Sequence, residues 1–112
     1  MKLNEYVERR KAELPPSYGE TADRPPVLSV ELPYGEMWMI AWSHFSHAHL
    51  CGEELALSFI DHEIIIRGDN LLPVMMAAAG LRLECLRTIS PSYRSVMDAR
   101  ETFIHEIEVH PA

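Results

Sequence analysis

From Val27 onward the chain keeps returning to a two-residue rhythm of apolar side chains, and that rhythm limits the possible folds more than any other feature. Leu28, Val30 and Leu32 alternate with Ser29 and Glu31. Successive side chains of an extended chain point to opposite faces, so these three share one face of a strand. Pro33-Tyr34-Gly35-Glu36 reads as a turn, and Met37 to Phe45 reads as a second strand, predicted to pair with the first as a hairpin. On that strand Trp38, Ile40, Trp42 and His44 fall on one face, and Met39, Ala41, Ser43 and Phe45 on the other. Both faces are largely apolar, which predicts a central strand or one covered on its second side by the amino-terminal arm.

The rhythm recurs further on. Leu55, Leu57 and Phe59 give a third strand and Ile64, Ile65 and Ile66 a fourth, with Asp61-His62 between them. Leu81, Leu83 and Cys85 start a fifth that runs to about Thr88. Phe103, His105, Ile107 and Val109 alternate with Ile104, Glu106 and Glu108, a final strand with one dry and one wet face.

Two stretches break the pattern toward helix. Leu3, Tyr6, Val7 and Leu14 make an apolar stripe over residues 3–14, which Pro15-Pro16 ends. Residues 15–26 carry four of the eight prolines and Gly19, the composition of a surface arm. Leu71 to Ala79 is the second predicted helix, with Pro73 in its first turn, Asp69 or Asn70 as its cap and Gly80 just past its end. Residues 89–101 read as a loop with a short helical turn. The expected architecture is therefore α+β: about six mostly antiparallel strands in one sheet or small open barrel, in the order α-β-β-β-β-α-β-β. Residues 1–26 would form the helix and proline-rich arm, and residues 27–112 a single α+β domain.

Composition narrows the function classes. Hydrophobic residues make up 47% of 112 and charged residues 24%, ordinary for a folded domain. The net charge of -7 repels phosphate backbones and anionic lipid, so nucleic acid and membrane are disfavoured partners. No apolar run reaches the roughly 20 residues that cross a bilayer. The charged amino-terminal residues lack the apolar core of a secretory signal, and two cysteines, Cys51 and Cys85, make no disulfide framework. A reduced, cytoplasmic setting is expected.

Few residues suggest chemistry. His44, His47 and His49, followed by Cys51, Glu53 and Glu54, supply imidazoles that could hold a divalent metal such as zinc or nickel. No other cofactor is expected. The plain reading of the same segment is a polar strand end entering a loop. His105 interrupts an apolar stripe, either as a base with a shifted pKa or as a core-edge histidine bonded to backbone. Asp61 and His62 are neighbours, but a catalytic pair is normally assembled across a fold. No nucleophile elbow, Cys-x-x-Cys or phosphate loop is present. Trp38 and Trp42 share a face, to fill a core or to wall a binding pocket.

Ile65-Ile66-Arg67-Gly68-Asp69-Asn70-Leu71 resembles the second signature of the Sm-like RNA-binding proteins. That resemblance implies a ring-forming small barrel in which Arg67 and Asn70 contact nucleotides. The same residues also read as local structure, with Arg67 ending a strand, Gly68 turning and Asp69-Asn70 capping a helix. Taken together, the residues point first to a non-enzymatic interaction module that associates with itself or with another protein. The alternatives are a metal-binding or histidine-based enzyme using His44, His47 and His49, and an Sm-like RNA binder.

Overall fold

The structure, a computed structural model, describes residues 15–112. The helix expected over residues 3–14 lies outside them. Eight strands and one short helix follow in chain order: β1 Tyr18–Glu20, β2 Val27–Glu31, β3 Met37–Ala41, β4 Phe45–Cys51, β5 Glu54–Phe59, β6 His62–Asp69, α1 Leu72–Ala79, β7 Leu83–Arg87 and β8 Phe103–Pro111. They form two four-stranded sheets, β1-β7-β2-β3 and β4-β5-β6-β8. The expected α+β sheet or open barrel of about six strands is thus corrected to a mostly-β fold of two sheets.

Two departures from the simple rhythm account for the difference. The apolar run from Met37 to Phe45 is not one strand. A single 3-10 turn at Trp42–His44 breaks it and carries the chain from the edge of the first sheet to the edge of the second. The segment after it, expected as a loop, becomes β4. Within the proline-rich arm, Tyr18–Glu20 pairs antiparallel with β7. Pairing is antiparallel throughout except between β2 and β7.

The two inner faces share one core. Leu28, Val30, Leu83 and Leu86 from the first sheet meet Leu55, Leu57, Ile64 and Ile66 from the second, all fully buried. Each such side chain contributes about 1.5–3 kcal/mol through burial. Helix α1 packs on β4 and β7, one strand from each sheet, through Val74, Ala77 and Ala78. Small side chains on that face allow the close approach. No side chain caps α1, so neither Asp69 nor Asn70 serves there, and Leu81 rather than Gly80 takes the left-handed conformation after it.

Trp42 is buried, and its Nε1–H donates to the Leu83 carbonyl at 2.9 Å. Its ring meets Phe45 and Phe59 edge-on and tilted, at centroid distances of 5.2 and 5.6 Å. Ser17 is the second tie between the sheets. Its carbonyl accepts from the Arg87 amide of β7 at 2.8 Å, and its Oγ accepts from the Ile104 amide of β8 at 3.0 Å.

β8 holds a further correction. The register between β6 and β8 shifts between Arg67 and Gly68, so that Arg67 faces Glu106 and Gly68 faces Ile104. His105 is the extra residue of this bulge. The strand's inward residues become Ile104 and Ile107, while His105 leaves the stripe and is exposed. A Cβ on Gly68 would overlap the Phe103 carbonyl oxygen and lie 2.9 Å from the Ile104 Cα, both of them backbone. Gly68→Ala is expected to lose about 2–3 kcal/mol of stability in urea unfolding; an unchanged midpoint would show that the bulge can relax.

Candidate functional site

The residues singled out in the sequence do not converge. His47 and His49 alternate on the outer face of β4, opposite Ser58 and Ala56 of β5. His44 sits apart in the turn before β4, with its Nδ1 3.7 Å from Asp61 Oδ2. The turn that splits the long apolar run is what separates them. Among the described residues, no three His, Cys, Asp or Glu side chains come together as metal ligands. His62 meets Trp38 ring to ring at 5.2 Å.

The outer face of the second sheet collects charge instead. Arg67 of β6 lies between Glu54 of β5 and Glu106 and Glu108 of β8, with nitrogen–oxygen distances of 3.3, 3.2 and 3.2 Å. Hydrogen bonding to Glu108 raises the guanidinium's pKa against the opposing effect of burial. Glu108 in turn is held below the usual carboxylate range, first by its hydrogen bond with His110 and then by Arg67. Beside this cluster a shallow depression of about 200 Å³ brings Cys51, Glu53 and His105 to its rim.

Asn70 faces another way. It adopts a left-handed conformation, φ 56°, and its Nδ2 donates to the carbonyls of Ala99 and Glu101 at 2.8 and 3.0 Å. Thr102 Oγ1 donates back to the Asn70 carbonyl at 2.7 Å. Asp69 pairs with Arg94 at 3.1 Å, and Arg94 lies 5.3 Å from the Phe103 ring centre. The Arg67-to-Asn70 string thus does structural work at both ends. Arg67 ties strands together, and Asp69 with Asn70 pins the long connection between β7 and β8. Nothing in this arrangement joins Arg67 and Asn70 in one nucleotide-facing surface.

That connection, residues 88–102, is long for a compact domain. With the chain leading into β1 and the first turn of α1 it encloses a cleft of about 360 Å³. Tyr18, Pro73, Ile89 and Met97 supply apolar wall, and Arg100 supplies positive charge. Sequence reading missed this cleft; the unusual length of the connection was the one available signal.

No protein-family model, no curated protein and no solved structure matches the chain. Among the described residues no helix is long and apolar enough to cross a membrane.

The remaining surface of interest is the edge of the first sheet. β3 is not central, as its two apolar faces suggested, but the outermost strand. Trp38, Ile40 and Trp42 do face inward, with Trp42 in the core and Trp38 half-buried at its margin, its Nε1–H donating to Glu36 at 3.1 Å. Met37 and Met39 on the opposite face are 54% and 67% exposed, and no described element covers them.

Two outcomes test this account. Asn70→Ala removes both carbonyl partners and places an alanine at positive φ, so a loss of about 1–2 kcal/mol is expected, with faster amide exchange confined to residues 88–102. Because Glu108 titrates lower in the folded than in the unfolded chain, its contribution is present above the ordinary carboxylate value of 4.5 and is lost as pH falls through the depressed one. The stability gap between wild type and Glu108→Gln should therefore be open at neutral pH and close in acid, as read by urea titrations across that range; a gap that widens in acid would contradict the assignment.

Proposed function

We propose that this protein is a self-associating module whose β3 strands pair edge to edge across a two-fold axis. The observation that carries the reading is the outer edge of β3, which no described strand covers. Open strand edges invite pairing with another chain, and proteins normally blunt them with short length, charge, proline or a bulge. Each of the other three sheet-edge strands has such protection. β1 is three residues long. β4 is bulged between Phe45 and His47 and presents His47 and His49 outward. β8 is bulged, carries Glu106 and Glu108 and ends in proline. β3, Met-Trp-Met-Ile-Ala, has no charge, no proline and an unbroken register with β2.

An open edge is complementary to itself. Antiparallel pairing about Met39 sets Met39 against its own copy, Met37 against Ala41 and Trp38 against Ile40. Those are apolar pairs on both faces, each worth roughly 0.2–1 kcal/mol. A two-fold axis closes the contact after two copies, so no fibre results. Joining the sheets this way would pack the exposed methionines side by side on one continuous face.

Light scattering after size exclusion, over about 1–200 µM, spans interfaces worth roughly 5–8 kcal/mol. The expected mass at the upper end is about twice 12.8 kDa. Met39→Lys sets like charges directly opposite each other and should return the single-chain mass, with a melting temperature equal to the wild type's at low concentration, where the wild type is also single, because Met39 is exposed in the single chain. A wild-type protein that stays single across the whole range would end the proposal.

A further inference from the structure

The cleft beneath the β7–β8 connection has the size and chemistry of a ligand site. Its volume of about 360 Å³ falls within the range of small-molecule pockets, roughly 300–1,000 Å³. Three of its lining residues, Pro15, Pro16 and Pro73, have no backbone N–H to offer. With Ile89, Met97 and the Tyr18 ring they present mainly carbon surface.

Polar side chains are few: Arg100, Glu101, Ser17 and Thr102 join the Tyr18 hydroxyl in the lining. Arg100 contributes a guanidinium that makes no side-chain hydrogen bond or ion pair with any described residue; only its backbone amide is engaged, with Asp98 Oδ1 at 2.8 Å. This contrasts with Arg67, Arg82, Arg87 and Arg94, each of which is paired with a carboxylate. Among the described residues Arg24 and Arg100 are the two arginines without a carboxylate partner, and of these only Arg100 lines the cleft. Ser17, 2% exposed, accepts the Ile104 amide through Oγ and keeps its own hydroxyl proton for a further acceptor. Thr102 has already donated its proton to Asn70, and Glu101 accepts from the Asp98 amide at 3.4 Å.

We propose that this cleft binds a small carboxylic acid with an apolar body. The body lies against Ile89, Met97 and Tyr18, and the carboxylate takes the Arg100 guanidinium, with Ser17 as a second donor. A planar carboxylate matches the two-pronged donor face of one arginine. A phosphate dianion would need more donors than a proline-lined wall and one cation supply. The clamp of Asp69, Asn70 and Thr102 holds the connection in place, so the cleft is formed before a ligand arrives. This site lies apart from β3 and stands or falls independently of self-association.

The test uses the full chain with methyl-labelled methionine, titrated with 4-phenylbutyrate and, separately, with its uncharged amide. The Met97 methyl resonance is assigned by Met97→Leu. The acid is expected to shift that resonance saturably and to bind about tenfold more tightly than the amide. Arg100→Gln should erase that tenfold preference while leaving the amide unchanged; Arg100 is exposed, so the variant is expected to fold. No saturable shift at Met97 up to about 10 mM would overturn the proposal, since that limit corresponds to negligible affinity. So would equal binding of acid and amide by wild type, or an acid preference that survives Arg100→Gln.

Discussion

The indole N–H of Trp42 donates to the Leu83 carbonyl at 2.9 Å, and the passage of the chain between the two sheets is organised around that bond. β3 ends one residue earlier as the outer strand of the first sheet, and β4 begins three residues later as the outer strand of the second. Trp42 is the first residue of the 3-10 turn, and its ring is held in the core there. Its nitrogen has to find an acceptor where water is excluded, and the β7 backbone supplies it. Phe45 and Phe59 then close around the ring at 5.4 Å from each other, so the bend is packed as well as bonded. The separation of His44 from His47 and His49 follows from the same bend.

The ties between the sheets are few and specific. Ser17 takes one amide from β7 and one from β8, and α1 lies across β4 and β7. Around the opposite end, Asp69, Asn70 and Thr102 fasten the β7–β8 connection to the end of β6. The two surfaces proposed to act lie where these restraints stop. The β3 edge has backbone hydrogen-bonding capacity that no described strand takes up, and the cleft has an arginine that no described carboxylate neutralises. Both are positions where an interaction normally completed inside a domain is left to a partner.

Much of the strand content was legible from alternation alone. β2, β5, β6 and β8 stand where the apolar rhythm put them, the β2–β3 hairpin turns at Pro33–Gly35, and α1 covers nearly the residues expected. The misreadings share one cause. A period-two pattern states that a segment is extended, but it cannot register an inserted residue or a change of sheet. The bulge at His105 put Ile104 rather than His105 in line with Ile107. Ser46 is similarly passed over in the register of β4 with β5. Met37 and Met39 looked like a buried face because methionine is apolar, and only the strand's outer position shows that they meet solvent.

By itself, then, the sequence determined that this chain is built of short alternating strands with a small-residue helix over about Leu71 to Ala79. It also determined that the surface is acidic and that two prolines and a glycine mark particular turns. These are consequences of local sterics and of side-chain polarity, which each segment carries wherever it goes. Only the tertiary structure decided that the strands divide into two sheets, that Trp42 marks the division, that Arg67 ties strands together while Asn70 pins the β7–β8 connection, and that Arg100 is left beside a cleft. Those outcomes depend on hydrogen bonds and contacts between residues as far apart as Ser17 and Ile104, and no local pattern records which distant partner will satisfy a buried donor.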